Sequence, residues 1–456
     1  MLARAALACA LVAALGAAGC RGPYRDVAER IANDAGRSDG AYVKVAALAT
    51  EVGARLSGTP ALERAIAWAR DTLARDGHEN VALEPVTVPH WSRGAEAAEI
   101  VAPAPRKLAV LALGGSVGTP PEGVTAEVAV VSTFEELAAL GAGARGKIVL
   151  FDHAMRAGEP PGASYGHALP FRREGASRAA KLGAVAVLVR SLTARSLGAP
   201  HTGAMKYADD GSPRIPAAAI SVEDAELLAR LAHLGPVKVH LALGAETHPG
   251  APSANVIAEL RGRERPDEIV VISAHLDSWD VGQGAQDDGA GCAIVMESLA
   301  TLRRLGLRPR RTIRVVLYTN EENGGAGANG YAAAHAAELP RHVAAFEVDS
   351  GAGAPRGFST DGPQPWAGDA KRLANLLAPI RATAIIPSFP GEDIMALKRA
   401  GVPLLGLSLD NEHYFDVHHS VADTLDKIDP ANLRRDVAAL ATMAYVVADR
   451  AETWRR

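Results

Sequence analysis

Residues 273–291 read SAHLDSWDVGQGAQDDGAG, which puts one histidine, four aspartates and four glycines into nineteen positions. They follow the apolar run Ile269-Val270-Val271-Ile272. A run with no polar face predicts a strand covered on both sides, and ligands of open α/β sheets collect beyond the carboxyl ends of such strands. The stretch therefore predicts acid and imidazole delivered to the edge of a buried sheet. Its glycines let the backbone turn tightly beside a crowded centre.

Outward from this stretch, strand and helix alternate. A strand at 268–275 leads to a helix at 290–305 with Ala293, Met296 and Ala300 on one stripe, and further strands are expected at 311–320, 343–350 and 402–410. This alternation predicts an α/β fold, a doubly wound mixed sheet with helices on both faces. Residues 24–80 read as helices, one of them capped by Thr59 with Pro60 in its first turn. From about residue 92 the pattern changes to short apolar runs, among them KLAVLALGG, VAVVST, KIVLFDH, AVAVLVRS and IPAAAIS. Turns such as GTPPEG and GEPPGASYG separate them, so 92–250 is expected to be a β-rich insertion. It divides one α/β domain into 21–91 and 251–456.

The length of 456 residues suits two domains. With 48% apolar and 22% charged residues the composition is that of a soluble globular protein, and a net charge of −4 argues against nucleic acid as a partner. The N-terminus differs: a single charge, Arg4, precedes 14 small or apolar residues from Ala5 to Ala18. That is short for a membrane span and right for a signal peptide over 1–20. Ala17-Ala18-Gly19-Cys20 looks like a lipoprotein processing site, although leucine is commoner where Ala17 stands. The expected location is outside the cytoplasm, in the periplasm or cell envelope, with membrane attachment only through a lipid on Cys20. Of three cysteines, only Cys292 lies beyond the leader, so no internal disulfide is expected.

Four strand ends carry the chemistry. They deliver His275 with Asp287 and Asp288, then Glu321 and Glu322, then Asp349, then His418 and His419. A lone acidic residue after a strand is usually a cap or turn former, and Asp288 could simply cap the helix that follows it. Convergence of all four ends is different, because that many carboxylates repel one another without a cation. Two imidazoles and three carboxylates suit zinc, and one carboxylate, Asp287, can bridge a pair of ions. Asp277 is expected to hold the ring of His275. Adjacent residues leaving a strand point in different directions, so of Glu321 and Glu322 one can bind metal while the other serves as general base.

The stretches AHLDSWDVGQGAQDDGAG, TNEENGGAG, FEVDSGAG and HHSVADTLDKIDP resemble the co-catalytic zinc exopeptidases of the M28 family, most closely its carboxypeptidase Q branch. VPHWSRG, GTPPEGVTAEV, PHTG and IPAAAISVEDAE extend the likeness over nearly everything after the leader. The resemblance implies two zinc ions per chain, held by His275, Asp287, Glu322, Asp349 and His419, with Asp287 between the ions and a cis Asp287-Asp288 peptide. The pattern H-[TS]-x-x-D-T selects His419 over His418. Glu321 becomes the general acid/base for attack by metal-bound hydroxide on a peptide bond. His418, next to the ligand His419, is expected either to donate to the developing oxyanion or to be a supporting or exposed histidine. The insertion becomes a protease-associated-like domain, the substrate a dipeptide or short peptide, and the assembly a homodimer. Asp393, within SFPGEDIMALKRAGVP at 388–403, is expected either at the substrate or as a helix cap. Asn323-Gly324-Gly325-Ala326-Gly327 departs from the common aminopeptidase pattern. Rival expectations are a mono-zinc enzyme like glutaminyl cyclase and a non-catalytic binding protein on the same scaffold.

Overall fold

Strands Arg265–His275, Arg311–Tyr318, His342–Glu347 and Leu404–Leu409 run parallel at the centre of an eight-stranded sheet. Successive side chains of a strand face opposite ways. Val270 and Ile272 therefore enter one core, with Ala293, Met296 and Val437, while Ile269 and Val271 enter another with Tyr331, Ile394 and Leu397. Burial on both faces is what removes the polar alternation from these sequences. Helices Ala290–Arg304 and Pro430–Asp449 cover the first face, and helix Ala326–Ala334 lies on the second. The computed structural model describes residues 24–156 and 158–455; the leader and Cys20 fall outside them. No helix among the described residues is long and apolar enough to cross a membrane.

Antiparallel strands extend the centre on both sides, so the sheet is mixed as expected. Glu246–Leu260 pairs with Arg311–Tyr318, and Glu79–Ser92 pairs in turn with Glu246–Leu260 to form one edge. This long ribbon was not anticipated from the sequence, which suggested helix up to residue 80 and the insertion from 92. The helices Arg25–Ala35, Gly40–Ala47 and Pro60–Arg75 are present, and the hydroxyl of Thr59 accepts from the amide of Leu62 as a cap should, an interaction worth roughly 1 kcal/mol.

A second eight-stranded sheet is built from residues between Glu96 and Leu243. All five apolar runs contribute strands to it. The segment GEPPGASYG, expected as a turn, instead starts a helix at Pro161 that runs to Lys181 and contains Pro170. Its Ala168, Phe171, Ala176 and Ala179 are buried against that sheet, and this packing outweighs the weak helix propensity of its glycines. The two sheets meet through Trp279, whose indole is buried with Trp91, Leu188 and Leu241 of the second core. A Cβ at Gly114 would stand 2.0 Å from that ring, so only glycine fits there.

Candidate active site

The carboxyl ends of the four parallel strands open on one edge of the first sheet, and the anticipated side chains meet there. Asp287 lies at their centre. Its Oδ1 is 3.2 Å from Nε2 of His275, and its Oδ2 is 3.2 Å from Nε2 of His419. His275 Nε2 also faces Asp349 Oδ1 at 3.7 Å, and His419 Nε2 faces Glu322 Oε2 at 3.0 Å. One carboxylate thus divides between two donor sets, His275 with Asp349 and His419 with Glu322. His418 stacks on His419, ring centroids 3.5 Å apart, and its Nε2 lies 3.5 Å from Asp287 Oδ2. Oε1 of Glu322 is buried and has no hydrogen-bond partner among the described residues. An unpaired carboxylate oxygen inside a ring of acids and imidazoles fits a cation rather than a closed protein network.

The loop carrying Asp287 is held from three sides. Arg55, fully buried, donates to the carbonyls of Leu276 at 2.6 Å, Gly284 at 2.9 Å, Gln283 at 3.0 Å and Gly53 at 3.2 Å. The carboxylate of Asp423 accepts from the amides of Ala285, Gln286 and Asp287 at 3.1, 2.7 and 3.2 Å. Asp288 accepts from the amides of Gly291 at 3.0 Å and His275 at 3.2 Å, so it does cap the following helix and also braces the first histidine. The Asp287-Asp288 peptide is cis.

Asp277 lies against the ring of His275. Nδ1 of His275 is nearest its main-chain oxygen, at 3.1 Å, and lies 3.8 Å from its carboxylate. The carboxylate accepts instead from the amides of Glu321 and Glu322 at 3.1 and 3.3 Å, which fixes the backbone of the acid pair. Asp393 was expected either as a cap or in a substrate loop. The turn it begins is capped by Glu347, whose carboxylate accepts from the amides of Asp393 and Ile394. The Asp393 side chain is only 2% exposed, and neither of its oxygens has a partner among the described residues.

Burial and crowding shift the protonation of these groups. Burial raises Glu321 well above the carboxylate range, with Asp349 and Glu322 adding to the rise. Burial, followed by Asp287, lifts Glu322 to about 7, and burial, followed by Asp349, lifts Glu347 to about 8. For His419, burial is outweighed by Glu322 and Asp287, and its pKa rises to about 9. Burial and the adjacent His419 push His418 well below its ordinary value. Carboxyls that hold protons beside imidazoles that attract them are the usual signature of a functional site.

Arg55 and Asp423 are essential to this geometry, yet no role was assigned to them from the sequence. Asp423 stands in the same pattern as His419, the one local sign of its importance. Arg55 lies more than two hundred positions from the carbonyls of the loop it binds, and no sequence periodicity marks such a partner.

Residues 255–444 match the family model for peptidase family M28. The chain is 44% identical to mouse carboxypeptidase Q over 430 residues, covering 93% of this chain and 90% of the relative. It is 43% identical to human carboxypeptidase Q, covering 94% and 90%. The crystal structure of a peptidase M28 precursor from Shewanella amazonensis superposes with a TM-score of 0.91 at 40% identity, covering 95% of this chain and 98% of that one. A zinc aminopeptidase from Bacillus subtilis shares the fold, with a TM-score of 0.68 at 21% identity over 91% of this chain and 96% of that one. With four strand ends converging on one acid-and-imidazole centre, and with likeness across nearly the whole chain, the protein belongs to peptidase family M28 and is a metallo-exopeptidase.

Proposed function

We propose that the chain is a dinuclear zinc exopeptidase that hydrolyses dipeptides or short peptides. The observation that carries this reading is the division of the Asp287 carboxylate, one oxygen toward His275 and the other toward His419. His275 and Asp349 would hold one ion, Glu322 and His419 the other, and Asp287 both. Zinc held there supplies a Lewis acid that polarises the peptide carbonyl and makes water more acidic. Glu321 lies beside the ligands with a raised proton affinity. It takes a proton from the attacking water and returns it to the leaving amine. Asp277 keeps Glu321 and Glu322 in fixed register through their amides. Asp393 is one of the buried acids that raise Glu321, and in this reading it tunes the base. His418, held neutral, has an N–H to offer the oxyanion.

Residues 92–250 act in this reading as a protease-associated-like domain over the cleft. The protein is exported and anchored through Cys20, and it functions as a homodimer. The test uses protein beginning at Arg21 and a panel of dipeptides, each free, N-blocked and C-blocked, before and after a chelator. Chelator-sensitive cleavage of the free dipeptides supports the reading, and the blocked forms show which terminus is read. No cleavage in any form with two zinc ions bound would overturn it.

A further inference from the structure

The segments VPHWSRG and PHTG lie far from the metal-binding residues in sequence, and nothing above gives them a role. Thr202, within PHTG, reaches His419 by two main-chain contacts. Its amide donates to the carbonyl of His419 at 2.9 Å, and its carbonyl lies 3.3 Å from Nδ1 of the His419 ring. The second contact sets the ring. With Nδ1–H directed at a carbonyl, Nε2 presents its lone pair toward Asp287 and Glu322. Nη1 of Arg172 donates to the same carbonyl at 3.4 Å and stands 3.5 Å from Nδ1.

Thr202 is itself fixed through its hydroxyl. Oγ1 donates to the carbonyl of Ala112 at 2.7 Å and accepts from Nη2 of Arg93 at 3.3 Å. Arg93, within VPHWSRG, also donates to the Ala112 carbonyl. Its other donors form a two-point pair with Asp280, at 2.8 and 2.6 Å. Asp280 lies on the loop that leads to Asp287. A circuit of polar contacts thus leaves the metal loop at Asp280, passes through Arg93, the strand residue Ala112 of the second sheet and the loop residue Thr202, and returns to the metal ligand His419. Arg93 and Thr202 are both at least nine-tenths buried, so their contacts with each other and with Ala112 are shielded from water and from salt, while Asp280 is partly exposed.

We infer that Thr202 and Arg93 are positioning residues of the metal centre, which makes the second sheet part of the site's machinery. The inference rests on the dinuclear reading above. The test is zinc binding by metal-free protein, followed by equilibrium dialysis against stepped free zinc. His419→Ala first identifies the ion that depends on that ligand. Thr202→Val keeps the side-chain shape and removes the hydroxyl, and Thr202→Ser keeps the hydroxyl. The same ion should bind roughly 10- to 100-fold more weakly in Thr202→Val and in Arg93→Gln, as for other groups that support a ligand. The other ion should bind as in wild type, and Thr202→Ser should restore the lost affinity. Arg304→Gln, which breaks ion pairs with Asp34 and Glu297 elsewhere, should lower the melting temperature and leave both ions in place. Unchanged binding in Thr202→Val, or equal weakening of both ions, would overturn the inference. A wild-type chain that takes a single zinc would instead count against the dinuclear reading. The inference would then be decided by whether Thr202→Val weakens that ion as His419→Ala does.

Discussion

Replacing Arg55 with lysine keeps the buried charge and removes the fork. The guanidinium serves four carbonyls, those of Leu276, Gly284, Gln283 and Gly53, at 2.6 to 3.2 Å. These lie on two separated stretches of chain around it. An ammonium offers its three protons from one nitrogen and can serve three of these carbonyls at most. At least one carbonyl then loses a charged donor, at about 1.5–3 kcal/mol. The expected loss of stability is therefore at least about 1.5–3 kcal/mol, a sizeable share of the total for an ordinary domain. Because the charge is the same in both proteins, the difference reports geometry and not desolvation of a cation. The assay is urea denaturation of metal-free wild type and Arg55→Lys, with zinc retention against a chelator measured alongside. The variant should unfold at lower urea and release zinc sooner, since the freed loop carries Asp287. A loss below about 1 kcal/mol, the net worth of one ordinary hydrogen bond, would refute the view that this arginine holds the loop.

Glu321→Gln should retain zinc and lose roughly 10²- to 10⁴-fold in turnover, the usual share of a general base; near-native kcat would remove Glu321 from that role. Asp277→Asn turns an amide toward one of the two backbone N–H groups that its carboxylate now receives. It should cost about 1–3 kcal/mol and lower turnover, and unchanged stability and kcat would show the acid pair to be held otherwise. His342, buried against Tyr331 Oη at 2.8 Å and the Glu338 carbonyl at 3.1 Å, is lowered to about 4, chiefly by burial and then by Arg314. The unfolded chain binds this proton near pH 6.5 and the folded chain only near 4. Its contribution is therefore complete above pH 6.5 and is lost as pH falls toward 4, by up to about 3 kcal/mol. Urea midpoints of His342→Gln across this window should fall less steeply than those of wild type, and parallel curves would contradict the assignment.

The parallel strands were legible because burial on both faces leaves unbroken apolar runs, such as Ile269 to Ile272. The acids and imidazoles that gather around Asp287 were legible for a related reason, since they lie beyond the ends of such runs. The edge ribbon was not. Glu79–Ser92 contains Pro85 and Pro89, and much of it is exposed. An edge strand tolerates proline because one side of its backbone needs no partner, and the same freedom erases its pattern. The helix at Pro161–Lys181 was hidden by Gly162, Gly166 and Pro170, since its stability comes from the sheet it covers. Arg55, Arg93 and Thr202 were hidden because their contacts cross long stretches of sequence. Asp277 was recognised as a supporting residue, but which of its oxygens faces the imidazole depends on a turn that only the folded backbone defines.

The edge ribbon has a consequence for how such a protein can change over evolutionary time. The chain leaves the first sheet at Ser92 and rejoins it at Glu246, and these residues are paired neighbours. The backbone of everything between them enters and leaves at one rung. A short hairpin turn could join the two strands with every other pairing of the sheet intact, so this portion can be acquired, exchanged or deleted in one genetic event. A descendant that deleted it would still close its sheet, but it would lose Thr202 and with it the main-chain contacts to His419. Lineages that shed this portion must therefore have found another support for that histidine, and the replacement should be visible as a new partner at Nδ1.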